Sequence, residues 1–402
     1  MKKDRIKRIT EGFIREFPDT DTDAVKVFSS PGRLELTGNH SDHQGGVVLT
    51  GTVNADILAC AAANGTDVIN ILSEGYGVIN ISCKNTNIRA DEKNTTSALV
   101  RGMVRAVSDK GFSVGGFDMY ASSEIPGGLG MSSSAAFEML LGVVLNDLFC
   151  DGRLGREELA YAGMYAEKEY FGKPCGLMDQ MACITGGINI FDFQDPEEPK
   201  ITPIDFDFES AGLDIIVTDT GGSHAGMAEE FNAIPDEMYS VANELGAERL
   251  CDVKEDVFYG HLPVLRIKAG DRAVMRAMHW YDEQKRVRSQ KEALGKGDVG
   301  KFLDLVNASG RSSFMYLQNV DNYKDTKHQS VALSLAFAAH ILEGAGAVRI
   351  QGGGFAGSII AFVPKEKSEI YVEKMEEFLG KGACRRVRIR KTGAVVCGRC
   401  EK

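Results

Sequence analysis

Apolar positions along the chain recur at two different periods, and each switch between them marks a boundary between elements. Spacing of three and four predicts helices over 5–17, 94–110, 134–149 and 156–171. Alternating or β-branched runs predict strands over 24–29, 33–37, 47–62, 68–72, 77–83 and 114–122. From residue 205 the pattern restarts with a strand over 213–219, a mostly helical run over 225–317 and a helix over 326–343. Strands over 348–351 and 358–364, a helix over 366–379 and a strand over 386–390 close the chain. Strands and helices mix without regular alternation, which predicts an α+β fold and not a doubly wound parallel sheet. The polar, proline-containing stretch 194–203 is the best boundary, giving expected domains 1–204 and 205–402.

Three segments stand out within this frame. A glycine-serine loop, Ile125–Ala135, sits where the strand over 114–122 gives way to an apolar helix. A loop so poor in side chains lets its N–H groups approach an anion, and the helix that follows turns its positive end toward the same point. A turn ended by a serine cap is the plainer alternative, so the phosphate reading leans on the other two segments. The second segment holds two carboxylates. Glu167 lies on the apolar stripe of its helix, where an ionised group needs a cation, either magnesium or a nearby Lys or Arg. Asp179 lies among Leu177, Met178, Met181 and Ala182, placed to cap a helix or to accept a proton from a substrate hydroxyl.

The third segment is Gln351–Gly357. Its glycines match a dinucleotide-binding spacing, yet 358–363 continues as a strand where a helix is required, so a tight hairpin pressing backbone against nucleotide or substrate is expected. Gly295–Lys301 mimics a phosphate loop but carries Phe302 where a hydroxyl should hold magnesium, and it reads as a turn between helices. Near the N-terminus, Pro31–Gly46 packs many hydrogen-bonding side chains into a strand end and turn, a density that suits a sugar.

Composition narrows the classes. At 402 residues with 43% hydrophobic and 26% charged positions the chain has the make-up of a globular protein of two domains. A net charge of −11 argues against a nucleic-acid partner. The basic N-terminus lacks the apolar run of a signal peptide, and no eighteen apolar residues run together, so a cytoplasmic protein without membrane contact is expected. Its nine cysteines are then reduced thiols. Cys397 and Cys400 have the spacing of half a zinc site, with no second pair nearby. No heptad seam appears, which leaves the oligomeric state open.

Taken in order, these segments resemble the galactokinase branch of the small-molecule kinases that include homoserine, mevalonate and phosphomevalonate kinases. Gly32–Gly46 is similar to the galactokinase signature, Pro126–Ala135 to the phosphate loop, and Gly352–Gly357 to the third motif. The resemblance implies a two-lobed fold with the active site in the cleft, and ATP-dependent phosphorylation of a sugar at C1 with Mg2+. Position by position, it implies Asp179 as acid-base residue and Arg33 as stabiliser of the transferring phosphoryl group. Gly128, Leu129, Gly130, Met131, Ser132, Ser133 and Ser134 would wrap the ATP phosphates, with Ser134 and Glu167 on the metal. Asn39, His40, Ser41, Asp42, Gly176, Asp179 and Phe231 would line the sugar pocket, with Gly352, Gly353 and Gly354 in the third motif. The chain departs from the pattern at Asn39, where galactokinases normally carry Glu, at His43 and Gln44 for Tyr-Asn, and at Phe231 for Tyr. Galactose is the expected sugar; galacturonate, another galacto-configured sugar, or a non-catalytic sensor of sugar and ATP are the alternatives.

Overall fold

A computed structural model describes residues 2–222 and 227–399. The first lobe runs α1 (Lys2–Glu16), β1 (Lys26–Thr37), β2 (Val47–Ala63), β3 (Val68–Ser73), β4 (Val78–Ser82), α2 (Thr96–Asp109) and β5 (Phe117–Ser123). It continues through α3 (Ser133–Phe149), α4 (Arg156–Tyr165), α5 (Met178–Thr185), β6 (Ile188–Asp192) and β7 (Lys200–Ile204). The second comprises β8 (Leu213–Gly222), α6 (Ala228–Glu244), α7 (Glu255–Gly260), α8 (Leu262–Lys268), α9 (Asp271–Lys296), α10 (Val299–Ser312) and α11 (Ser330–Leu342). After these come β9 (Ala347–Gln351), β10 (Gly357–Pro364), α12 (Lys365–Leu379), β11 (Cys384–Val387) and β12 (Val395–Arg399).

The α+β expectation holds, with two mixed layers built on separate sheets. In the first, β12-β1-β2-β5-β3-β4 lie side by side, and β6 and β7 extend from β2. Only the β3–β5 pair is parallel among the described strands. The second sheet, β11-β8-β10-β9, is antiparallel throughout. Helix α3 is apolar on all sides because it is covered on all sides: β1 and β2 lie beneath it and α2, α4 and α5 around it. Met139, Leu140 and Val144 are wholly buried there, each contributing roughly 1.5–3 kcal/mol by leaving water. This burial anchors the helix whose first turn forms the end of the glycine loop. Among the described residues no helix is long and apolar enough to cross a membrane.

Several elements differ from the sequence expectation. The helix over 156–171 is α-helical only to Tyr165, and Ala166–Phe171 is a widened turn. There the Glu167 carbonyl accepts from both Gly172 and Lys173, and Gly172 adopts a left-handed φ of +83°. The apolar stripe continues through the widening, so periodicity alone did not reveal it. The strands over 24–29 and 33–37 are one strand, β1, whose Pro31-Gly32 is absorbed by a shift in register against β2. The polar stretch 194–203 is the turn and outer strand of a hairpin, β6–β7, so the first sheet's run of consecutive strands extends to Ile204. The strand over 386–390 stops in the second sheet at Val387. Arg388 and Arg390 then bond the backbone of Asn54 and Thr52 in the first lobe, and β12 pairs with β1. A division at 204/205 therefore leaves out this return of the chain.

Two expected features appear as read. Gly352–Ala356 joins β9 to β10 in an antiparallel hairpin, and Gly297 and Asp298 turn α9 into α10, Asp298 capping the second helix. The expected helical run from 225 begins among residues outside the described ones.

Candidate functional site

The glycine loop is held from both lobes by its carbonyls. Arg33 N–H bonds Met131 O at 3.1 Å, Ser358 Oγ bonds Leu129 O at 2.8 Å, and Gln351 Nε2 bonds Gly130 O at 3.2 Å. Gly130 has to be glycine: its φ is +61°, and a Cβ would stand 2.9 Å from Gln351 O. A Cβ on Gly127 or Gly128 would meet open space. Ser132 takes a left-handed φ of +53° and its carbonyl accepts from Ala136 N–H. The N–H groups of Ser133, Ser134 and Ala135 precede that first helical bond and have no acceptor within the helix.

Arg33 and Asp179 meet beside this loop. Arg33 Nε and Nη2 grip Asp179 Oδ1 and Oδ2 at 2.7 and 2.9 Å, while Nη1 bonds Gly130 O. Ser132 Oγ donates to Asp179 Oδ2. Burial is the largest influence on the Asp179 carboxyl and pushes it up. The charge and hydrogen bonds of Arg33, then Ser132 and Lys173, outweigh burial and hold it below the ordinary value. Asp179 is therefore an ionised acceptor at neutral pH, fixed at the first turn of α5.

Glu167, 2% exposed, lies behind Ser134, whose Oγ is 3.3 Å from Glu167 Oε1. Both readings of this carboxylate find support, because Lys173 Nζ also reaches Oε1 at 2.9 Å. One hydroxyl and one carboxylate form a donor set that suits Mg2+ completed by phosphate oxygens and water, and the exposed Lys173 ammonium is a cation that can swing aside.

The signature turn between β1 and β2 is pinned against the second lobe. Asn39 is fully buried: its Nδ2 donates to Glu35 Oε1 and Gly352 O, both at 2.8 Å, and its Oδ1 accepts from Asn319 at 2.8 Å. His40 Nε2 donates to Gly353 O at 2.9 Å, which fixes its tautomer. Ser41 is also buried, its hydroxyl accepting from Gln284 and its carbonyl from Trp280. Phe231 packs on Gly353, where a Cβ would fall 2.5 Å from the ring, and lies edge-on to Phe355. Gly176 gives way to Asp42, for a Cβ there would stand 1.7 Å from Oδ2. Burial, then the nearby charge of Asp179, raises the Asp42 carboxyl to about 6. Burial lowers His40 to about 4 and His43 to about 3.

The structure thus joins Arg33, Gly130, Ser132 and Asp179 by direct bonds, Ser134 to Glu167, Asn39 to Gly352, and His40 and Phe231 to Gly353. Asn39 and Ser41 spend their polar atoms on protein partners. Sequence reasoning missed the buried groups that do this holding. Arg349 bonds Glu35 at 2.8 Å, Glu283 accepts from Gly38 N–H, and His279 Nε2 donates to Asn39 O. A legible signal existed for Glu138, an acid set between Phe137 and Met139 in the apolar run of α3. The half zinc site cannot be placed, since Cys400 lies outside the described residues; no two of the described cysteines are joined to each other in a disulfide.

Two protein families and several known proteins match the chain. The GHMP kinases N terminal domain family matches residues 98–187, and the Galactokinase galactose-binding signature matches residues 11–63. A galactokinase of Clostridium tetani is 27% identical over 95% of this chain and 92% of its own length. One of Lactobacillus helveticus is 28% identical over 89% and 91%. A crystal structure of Lactococcus lactis galactokinase complexed with galactose superposes with a TM-score of 0.83 at 25% identity, covering 97% of this chain and 99% of that one. A mevalonate kinase shares the fold, with a TM-score of 0.61 at 16% identity over 91% and 99% of the two chains. The glycine loop and Asp179 fall within the first matched segment and Arg33 and the signature turn within the second, and along nearly its whole length the chain is similar to the GHMP kinases of the galactokinase branch.

Proposed function

We propose that the chain is an ATP-dependent sugar 1-kinase, a galactokinase, which transfers the γ-phosphoryl group of ATP to the anomeric oxygen of galactose. The observation that carries this reading is the Arg33–Asp179–Ser132 cluster at the rim of the glycine loop: an ionised acid held rigid where a phosphate cradle ends. The named galactokinases, similar along nearly the whole chain, support galactose as acceptor.

Asp179 accepts the proton of the C1 hydroxyl as that oxygen attacks the γ-phosphorus in line. The new O–P bond forms while the bond from phosphorus to the bridging oxygen of ADP breaks, giving galactose 1-phosphate and ADP. Arg33 keeps Asp179 charged and offers its remaining N–H groups to the transferring phosphoryl oxygens. Gly128 through Ser134 surround the phosphates with backbone N–H groups, and Ser134 and Glu167 would hold the magnesium ion, which neutralises charge on the phosphate oxygens. Around the sugar, Asp42 and His40 are the groups best placed for hydroxyls. Asn39 and Ser41 act from beneath by fixing the turn, and Phe231 supplies an apolar wall on Gly353. The expected setting is the cytoplasm, with no nucleic-acid partner.

The test is ADP release on galactose, galacturonate, N-acetylgalactosamine, glucose and mevalonate. Turnover on galactose with loss in Asp179→Asn is expected. Tight sugar binding without turnover on any of the five would favour a sensor, and a preference for galacturonate would displace galactose.

A further inference from the structure

Behind Ser134 and Glu167 lies a third carboxylate that phosphoryl transfer does not use directly. Glu138 stands one turn beyond Ser134 on the same face of α3, and both it and Gln180 of α5 are fully buried. The Gln180 side-chain amide donates at 2.9 Å to Glu138 Oε2 and at 2.9 Å to Glu167 Oε2. A single amide nitrogen thereby spends its two hydrogens between two acids. One oxygen of Glu167 is consumed, and the other, Oε1, faces Ser134 Oγ and Lys173 Nζ.

Room for this bridge is made by a neighbouring helix. Gly163 of α4 lies against it, and a Cβ there would come 3.0 Å from both Glu138 Oε2 and Gln180 Cγ, and 2.7 Å from Met139 Cε. The bridge is also costly, since Glu138 Oε1 and Gln180 Oε1 are buried without a hydrogen-bond partner. Three apolar side chains would fill the same space without that penalty. What they would not do is fix the rotation of the Glu167 carboxylate, and a partner behind a metal-binding group characteristically does that work.

We propose that Glu138 is a positioning residue for metal-nucleotide binding: by anchoring Gln180 it locks Glu167 with one oxygen spent and the other presented beside Ser134. This rests on the reading that Ser134 and Glu167 hold magnesium. The full chain, saturated with ADP, is titrated with Mn2+ while free Mn2+ is followed by electron paramagnetic resonance.

Glu138→Met is expected to weaken Mn2+ binding by about 10–100-fold, the usual effect of losing such a partner. Glu138→Gln, whose amide oxygen still accepts from Gln180, should stay within about threefold. Should Glu138→Met fail to fold, Gln180→Leu deletes the same bridge from its other end and should reproduce the loss. Wild-type Mn2+ affinity in Glu138→Met or Gln180→Leu overturns the proposal, as does equal weakening by Glu138→Gln. Glu167→Ala separates the two levels: if it loses Mn2+ while Glu138→Met does not, only the positioning role falls. Wild-type affinity in Glu167→Ala instead removes the metal reading beneath it.

Discussion

Gly176→Ala adds one carbon to the proposed sugar pocket, and the structure says where that carbon goes. The new Cβ would stand 1.7 Å from Asp42 Oδ2 and 2.3 Å from its Cγ, against the 3.0–3.4 Å at which real Cβ contacts begin. Gly176 does not sit in left-handed backbone, so alanine is acceptable at this position and the carboxylate has to move. Withdrawal from 1.7 Å to at least 3.0 Å displaces Oδ2 by 1.3 Å or more. A hydrogen bond from a sugar hydroxyl to a charged acceptor is worth about 1.5–3 kcal/mol, so losing it lowers kcat/KM for galactose by roughly 10–100-fold. A shift of about 1 Å near the reacting centre can cost a comparable factor by itself. Initial rates of ADP release, with galactose and MgATP varied in turn, are the assay. The loss should fall on the sugar, with KM for MgATP and the melting temperature nearly unchanged. Wild-type galactose kinetics in Gly176→Ala would show that Asp42 is not a sugar ligand.

Replacing Asp179 by Asn keeps the shape and removes the proton acceptor, so kcat should drop by about 10²–10⁴-fold while calorimetry still detects galactose; near wild-type turnover would mean another group takes the proton. In Arg33→Gln the largest counterweight to burial at Asp179 is removed, with only Ser132 and Lys173 left to oppose it, so its pKa rises and the acid limb of the pH–rate profile moves to higher pH; an unmoved limb would sink the Arg33 assignment. For stability, His40 and His43 bind protons near 6.5 when unfolded but only near 4 and 3 when folded, so stability is lost as pH falls from about 6.5 toward 4, by up to roughly 3 kcal/mol from His40 alone. Asp42 works in the opposite sense, its folded value near 6 lying above 3.8, and offsets part of that loss. Urea unfolding at pH 7 and pH 4.5 should therefore show a net loss that steepens in Asp42→Asn, and an unchanged midpoint would contradict it. Asn39→Asp sets a second carboxylate against Glu35, and Glu35→Gln in the same chain should recover roughly 1–3 kcal/mol by thermal unfolding; strict additivity would mean the two side chains do not interact.

Elements with a strong period and the chemistry tied to them were legible in the sequence. Glu167 could be read because an acid on an apolar stripe is conspicuous, and the loop because glycine and serine crowd a strand-to-helix junction. What could not be read was register and company. The widening at Ala166–Phe171 leaves the apolar stripe in phase, so no change of period announces it. The pairing of β12 with β1 brings together residues hundreds of positions apart, and the five-residue, mostly exposed β12 is too short to carry a pattern of its own. Glu35, Arg349 and the His279–Glu283 pair belong to β1, β9 and α9, and the sequence places none of these three elements near another.

The signature turn shows how density of polar groups can mislead about what they touch. A sugar would explain the crowding in Pro31–Gly46, but much of that crowding is consumed between lobes. Asn39 bonds Gly352 and Asn319, His40 bonds Gly353, and Gly38 N–H bonds Glu283, while Glu35 is held by Arg349 from the second sheet. The same backbone hairpin, through Gln351, also bonds the glycine loop at Gly130. One hairpin therefore fixes both the turn proposed to hold the sugar and the loop proposed to hold the phosphates. A substitution at Asn39 acts on that spacing first, and on sugar choice only through it. The departure from Glu at this position is accordingly expected to express itself through the Glu35–Asn39 pair and the position of the turn, with Asp42 and His40 left to read the sugar directly.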